Sequence, residues 1–269
     1  MNIGFSRLIS GCAVLWLVIG SAVSIGQPDG AAPDTPSWDG TYRRVRVPIV
    51  MYHYISSPPD DADAYRRDLS TPPDAFRAQM EYLFYQGYSA IALDDLDRAL
   101  LTGMPLPAKP IILTFDDGYV DQYSHAFPIL REFGFSGTFF IITARADAGD
   151  PAYLSWSQIA EMAAAGMHMA SHTKDHPDLR GRDYDFLVYQ ILGSLESLAA
   201  YTGRMPDAFA YPAGQYDDAV LAVLETTPVR RAVTTQPGML HTTDNRLELA
   251  RLRISAGMTV RQFAALIGE

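Results

Sequence analysis

From Val45 onward, short apolar runs alternate with stretches in which apolar residues recur every three or four positions. The runs predict strands at 45–52, 90–93, 110–115, 137–142, 167–171, 208–211, 231–234 and 251–255. The stretches between them read as helices: Phe76, Met80 and Leu83 share one face and end at Gly87, and Ile159, Met162 and Ala163 do the same before Gly166. Glycine closes such helices because it takes the left-handed C-terminal conformation without steric cost. No repeat or low-complexity segment interrupts the alternation. Strand after helix after strand implies parallel strands joined by helical crossovers, in an open doubly wound sheet or a closed barrel. In both architectures active-site residues gather at the carboxyl ends of the strands, so the residues just past each run are where chemistry is expected.

Upstream the pattern changes. Residues 1–26 carry one charge, Arg7, and an apolar run from Leu8 to Ile25 broken only by small residues. This reads as a signal for export, either cleaved near Ala22 and Ser24 or kept as an N-terminal membrane anchor. The segment holds the single cysteine, Cys12, so the chain downstream has neither disulfide nor thiolate chemistry. Residues 27–44 start rich in Pro, Gly, Asp and Ala and are expected to be a flexible linker, leaving 45–269 as one domain. A chain of 269 residues with 48% hydrophobic content can bury one sizeable core. Its net charge of −10 argues against nucleic acid and anionic membrane surfaces as partners, since both would repel it.

Four strand ends carry candidate chemistry. The run 110–115 stops at Asp116 and Asp117, followed by Gly118 and Tyr119. Adjacent carboxylates repel, and a bound cation is one way to keep both ionised; an Asp-rich turn is the plainer alternative. The run 167–171 ends in His172 and, four residues on, His176. Two imidazoles with one carboxylate, water filling the other positions, are a usual donor set for a catalytic divalent ion. The run 208–211 ends in Pro212, Ala213 and Gly214, where a constrained backbone could aim an N–H at a developing oxyanion, or simply turn. His53 follows the run 45–52.

TFDDGY at 114–119, SHTKDH at 171–176 and YPAG at 211–214 occur in an order and spacing that resemble the polysaccharide deacetylases, the carbohydrate esterases that share a chitooligosaccharide-deacetylase homology domain. VPIVMYHYI at 47–55 and the closing segment 249–254 are most similar to the branch that deacetylates poly-N-acetylglucosamine in bacterial biofilms. The resemblance spans about 45–267. It implies a distorted, incomplete (β/α) barrel with one divalent metal ion, usually zinc, on Asp117, His172 and His176. It also implies Asp116 as the base that deprotonates the attacking water, and a backbone N–H near Ala213 that shares the oxyanion. Many members protonate the leaving amine with a histidine in a late Leu-x-Ile-x-His segment, but the corresponding segment here, from Leu252 to Ser255, has no histidine. The biofilm branch draws its histidine from an N-terminal strand end, which His53 matches. The arginine usual before the third-motif proline is also missing, with Ala210 in its place, and Arg251 is a candidate to orient Asp116 instead. Tyr119 and Tyr211 are expected to line sugar subsites, Trp156 to pack at the start of a helix, and His125, His168 and His241 to be structural or exposed.

The expected activity is hydrolysis of N-acetyl groups on an N-acetylglucosamine-containing polysaccharide by an exported enzyme in the periplasm, outside the cell, or anchored in the envelope. O-acetyl ester hydrolysis, and peptidoglycan or chitin deacetylation, use the same site chemistry. A carbohydrate-binding relative without turnover is the alternative outside enzymes. Loops 56–71 and 143–154 are expected to set substrate choice.

Overall fold

The structure is a computed structural model that describes Met1 and residues 36–268; the export or anchor segment, and residues 27–35 of the expected linker, lie outside the described residues. In chain order the elements are β1 (Arg44–Arg46), β2 (Ile49–Tyr52), α1 (Ala64–Asp68), α2 (Pro73–Tyr85), β3 (Ser89–Ala90), α3 (Leu93–Thr102) and β4 (Pro110–Phe115). A π-helical turn at Gln122–Ala126 runs into α4 (Phe127–Glu132), followed by β5 (Thr138–Ile141), α5 (Thr143–Asp147), α6 (Trp156–Ala164), β6 (His168–Ser171), α7 (Tyr184–Thr202) and β7 (Ala208–Ala210). A 3-10 turn at Pro212–Gly214 leads to α8 (Asp218–Glu225), β8 (Arg231–Pro237), β9 (Leu240–Thr242), β10 (Leu249–Arg253) and α9 (Val260–Ile267).

Seven strands pair in parallel in the order β2-β10-β8-β7-β6-β5-β4, and β4 pairs again with β2 to close the ring. The result is a (β/α) barrel one strand short of the usual eight. β3 adds only two residues, beside the start of β4. The expected strand 45–52 is two: Pro48, which cannot donate to a ladder, separates β2 in the ring from β1, which pairs antiparallel with β9. The run 90–93 gives way to α3, whose start is capped by Asp95 accepting from the Ala92 N–H at 2.8 Å. Residues 36–44 pack against this domain, with Arg43 donating to the carbonyls of Leu100 and Leu101 at 3.2 and 3.0 Å.

The alternation of side chains along each strand builds both layers of the core. Ile49, Ile112, Phe140, Ala170, Ala210, Val233 and Leu249, one from each ring strand, form a single buried cluster in the lumen, closed below by Ile91, Leu93, Leu96 and Leu100. The opposite phase, including Val50, Leu113, Phe115, Phe139 and Leu252, packs outward on α2, α4, α6 and α9. Phe76, Met80 and Leu83 of α2 and Ile159 and Met162 of α6 are fully buried there, as their spacing predicts. The lower rim is tied by Arg231, at the start of β8, which pairs with Asp94 and Asp97 of α3 at 3.0 and 3.4 Å. Among the described residues no helix is long and apolar enough to cross a membrane.

Candidate active site

The inward phase of three strands continues past their carboxyl ends into one cleft. Ile112 and Thr114 of β4 lead to Asp116, Ile49 and Met51 of β2 to His53, and Ala170 of β6 to His172. Asp116 is 2% exposed. Arg251, inward on β10 and itself buried, grips it: Nη1 donates to Oδ1 and Nη2 to Oδ2, both at 2.7 Å. The same guanidinium donates to the Thr234 carbonyl at 2.9 Å and to Thr114 Oγ1 at 3.1 Å, so its plane is fixed. Burial by itself raises the Asp116 carboxyl, but the charge and paired hydrogen bonds of Arg251 outweigh it, and the net value falls below the usual carboxylate range. Arg251, the candidate named from the sequence, is thus the residue that contacts Asp116.

Asp117 is one residue out of phase, and strand alternation alone would turn it away from the lumen. Its backbone is left-handed, φ 73°, and swings the carboxylate back. Thr173, His176 and Ala213 are the other non-glycine residues with positive φ among those described, at 66°, 58° and 52°. Each costs about 1–2 kcal/mol relative to an ordinary conformation. All four lie in the loops that follow β4, β6 and β7, so the strain is concentrated at this face of the barrel. Neighbouring bonds hold it there. The His176 N–H donates to Thr173 Oγ1 at 2.9 Å, the Asp175 N–H to Gln190 Oε1 of α7 at 3.1 Å, and the N–H groups of Thr143 and Ala144 in α5 to the carbonyls of Thr173 and Lys174.

One donor atom each from Asp117, His172 and His176 lies within 4.8 Å of the others. Asp117 Oδ1 is 3.4 Å from His172 Nε2 and 3.6 Å from His176 Nε2. His172 Nδ1 sits 2.7 Å from the Ala210 carbonyl. A carbonyl only accepts, so Nδ1 carries a hydrogen; Nε2 faces Asp117, donating to it while protonated and able to ligate a cation once that proton is given up. Burial raises the Asp117 carboxyl, yet the hydrogen bond from His172 and the charges of His53, His172 and His176 hold it well below the ordinary range. An anionic carboxylate and two imidazoles on one side of an open cleft fit a catalytic divalent ion.

His53 is 8% exposed, with Nε2 3.9 Å from Asp116 Oδ2 and a buried Nδ1 that has no hydrogen-bond partner among the described residues. Burial lowers its pKa more than the carboxylates of Asp116 and Asp117 raise it. Gln122, which sequence reasoning missed, joins this half of the site: its Nε2 donates to the carbonyls of His53 at 2.9 Å and Asp116 at 2.6 Å, tying the ends of β2 and β4 together. Nothing in its local pattern marks it. In the turn after β7, the N–H groups of Tyr211, Gly214 and Gln215 bond to Val233, Tyr211 and Pro212, and Pro212 has none. Ala213, which lines the cleft, is left as the residue of that turn able to offer a backbone donor there.

The cleft, ≈ 270 Å³, is also lined by Tyr65, Tyr119, Arg145, Tyr153 and Arg253. Tyr119 is stacked on Tyr54, with ring centroids 3.6 Å apart, and meets Tyr153 at 5.1 Å. Tyr211 does not line the cleft. It is fully buried between Phe209 and Tyr216 and donates its hydroxyl to the Leu247 carbonyl at 2.8 Å, so the expected sugar contact is a core residue. Trp156 packs at the start of α6 against Tyr201 and donates to Asp147 at 3.1 Å. His241 is buried on the Val47 carbonyl at 2.9 Å, and neither His125 nor His168 lines the cleft. Residues 56–71 and 143–154 contain α1 and α5, which flank the cleft through Tyr65 and Arg145.

A sequence profile of the family described as Polysaccharide deacetylase matches residues 103–232. YxkH of Bacillus subtilis (strain 168), whose name assigns it provisionally to the polysaccharide deacetylases, is 31% identical over 234 residues, 87% of this chain and 80% of that protein. The deacetylase PplD of Streptococcus pyogenes, solved in complex with acetate, superposes with a TM-score of 0.79 at 30% identity, covering 84% of this chain and 100% of the other. The poly-β-1,6-N-acetyl-D-glucosamine N-deacetylase of Escherichia coli (strain K12) is 31% identical over 138 residues, which are 46% of this chain but 20% of that protein.

Proposed function

The chain belongs to the polysaccharide deacetylase family, whose members are hydrolases, and from that premise we propose that it removes N-acetyl groups from a poly-N-acetylglucosamine chain with one zinc ion on Asp117, His172 and His176. The observation that carries this reading is the convergence of those three donors beside a carboxylate that Arg251 keeps ionised. The partial likeness to the Escherichia coli enzyme supports the choice of substrate. The apolar segment at 8–25 supports export to the cell envelope, and with it a place in biofilm polymer processing.

Asp117, His172 and His176 would hold a divalent ion, which when bound would supply a Lewis acid to acidify water and polarise the acetamide carbonyl. Asp116 accepts the proton of the attacking water, and Arg251 fixes the carboxylate so that no reorientation is needed at that moment. The Ala213 N–H donates to the oxygen on which charge develops. His53, whose pKa burial lowers, has Nε2 3.9 Å from Asp116 Oδ2; it takes up the proton that Asp116 accepted from water and delivers it from Nε2 to the leaving amine, which returns both groups to their starting states.

The test is acetate release by the purified full chain from poly-β-1,6-N-acetylglucosamine and from chitin oligomers, with zinc, with chelator, and as Asp116→Asn. Zinc-dependent release from the β-1,6 polymer that vanishes in Asp116→Asn is the expected result. Release from chitin alone moves the substrate to a β-1,4 polymer. No release from any acetylated glycan while zinc remains bound sinks the proposal in favour of a binding role.

A further inference from the structure

The proposed chemistry dictates the side of the centre on which the sugar lies. The bond that breaks joins the acetyl carbonyl carbon to the amine nitrogen; water supplies oxygen to the acetate, and the nitrogen departs with the sugar after taking a proton from His53. The sugar ring therefore sits by His53, at the exit of β2.

Two cleft side chains stand there without a part in the chemistry. Arg253, on β10, is the register partner of Met51, two residues before His53. Its side chain is 35% exposed and its ion pair, with Asp68 of α1, is long at 3.9 Å. Tyr65 is three residues before Asp68 on the same helix, a spacing that puts both on one face. Tyr65 is 62% exposed, lines the same cleft, and stacks with no ring or cation among the described residues.

Its neighbours differ. Tyr54 has Arg66 over its ring at 3.3 Å and Tyr119 stacked at 3.6 Å, while Tyr153 meets Tyr119 and lies under Arg145 at 5.2 Å. Of these, Tyr119 and Tyr153 line the cleft, and both have neighbours on their rings. Tyr65 is the cleft tyrosine with no such neighbour among the described residues. The helix that carries it has five residues, too short to persist by itself, and is held by bonds from its flanks. Asp63 accepts from the Arg66 N–H at 2.7 Å, and Arg66 donates to Ser56 Oγ at 3.1 Å and to Ser70 Oγ. Arg67 donates to the Ala62 and Asp60 carbonyls, and the Ala256 N–H donates to the Asp68 carbonyl at 2.9 Å. A helix already fixed presents Tyr65 from a settled backbone position, so binding there needs less ordering of the main chain.

The geometry points to Tyr65 and Arg253 as the subsite for the sugar ring whose acetamide is cleaved: the C–H face of the ring stacks on Tyr65, and Arg253 donates to its hydroxyl oxygens. This rests on the deacetylase reading above. The experiment compares a β-1,6-linked N-acetylglucosamine pentamer with vinyl acetate, an acetyl ester with no sugar ring, on the zinc-loaded full chain. Pentamer affinity is measured by calorimetry in an Asp116→Asn background, and hydrolysis of both compounds in the active background. Tyr65→Ala is expected to weaken pentamer binding about tenfold and to lower the ratio of pentamer to vinyl acetate kcat/KM by a similar factor, mainly through KM. Tyr65→Phe and Tyr65→Trp, which keep a ring face, restore both, and Arg253→Gln weakens the pentamer selectively. Unchanged pentamer affinity in Tyr65→Ala overturns the subsite, as do equal losses on both compounds. A wild-type chain that hydrolyses vinyl acetate but no glycan overturns the polysaccharide reading itself, and the subsite with it.

Discussion

Replacing Arg251 by methionine removes a charge with little change in side-chain length, and the structure sets the scale of the effect. Four donated hydrogen bonds disappear, two of them to Asp116, which stays 2% exposed. Removing one partner of a buried ion pair costs about 3–5 kcal/mol, because the other charge is left uncompensated. The sign with pH is definite. In the wild type the folded value of Asp116 lies below the ordinary carboxylate value of about 4, so the pair's stabilisation is complete above that value and is lost as pH falls through the lowered one. In Arg251→Met, burial without the guanidinium puts the folded value above the unfolded one, and the carboxyl destabilises the fold once it ionises. Urea unfolding of the metal-free proteins should show a stability gap that is widest at pH 7, narrows toward pH 4 as the variant's carboxyl is protonated, and goes on closing below pH 4 as wild-type Asp116 takes up its proton. The base of the variant is protonated over more of the range, so kcat at pH 7 should fall about a hundredfold and recover in part at higher pH. A gap under about 1 kcal/mol, or one that does not narrow with acid, would refute the reasoning, since a buried carboxylate stripped of its partner cannot be that indifferent.

Wild type is expected to hold one zinc ion per chain after gel filtration, measured by elemental analysis, and His172→Ala and Asp117→Ala each to lose it; retention in either variant moves the site. His53→Ala should lower kcat about a hundredfold with zinc content intact, and loss of zinc instead would make His53 part of the metal centre. At Gly214 an added Cβ would lie 2.9 Å from the Thr235 backbone nitrogen. Gly214→Ala should therefore displace the Ala213 turn and lower kcat while zinc stays bound, and full activity would exclude Ala213 as an oxyanion donor.

Period-two patterning carried much of the fold. It located 110–115 to the residue, and its inward phase from Ile112 leads directly to Asp116. It failed where the backbone departs from that period: Pro48 divided one run, α3 absorbed another, and β9, three residues paired only with β1, has too little apolar signal to announce itself. Asp117 and His176 owe their positions to left-handed backbone, which aspartate and histidine adopt more readily than most residues but still too rarely for sequence to place it at one position. Arg251 was visible as a charged residue in an apolar run, but its contact with Asp116 crosses 135 residues of chain. Tyr211 misled because a strand-end tyrosine reads alike whether its ring faces the lumen or a helix layer.

The ring order has a bearing on how the molecule comes into being. β10, β2 and β4 are neighbours in space, and they bring Arg251, His53 and Asp116 together from opposite ends of the chain, whereas Asp117, His172 and His176 are separated by fewer than sixty residues of it. On a ribosome the metal-ligating half can be complete while β10 is still unmade, leaving Asp116 without its guanidinium and β2 without one of its two neighbours. Contacts of long sequence separation form late and slowly. Hydrolytic competence should thus be among the last properties the nascent chain acquires, after zinc binding.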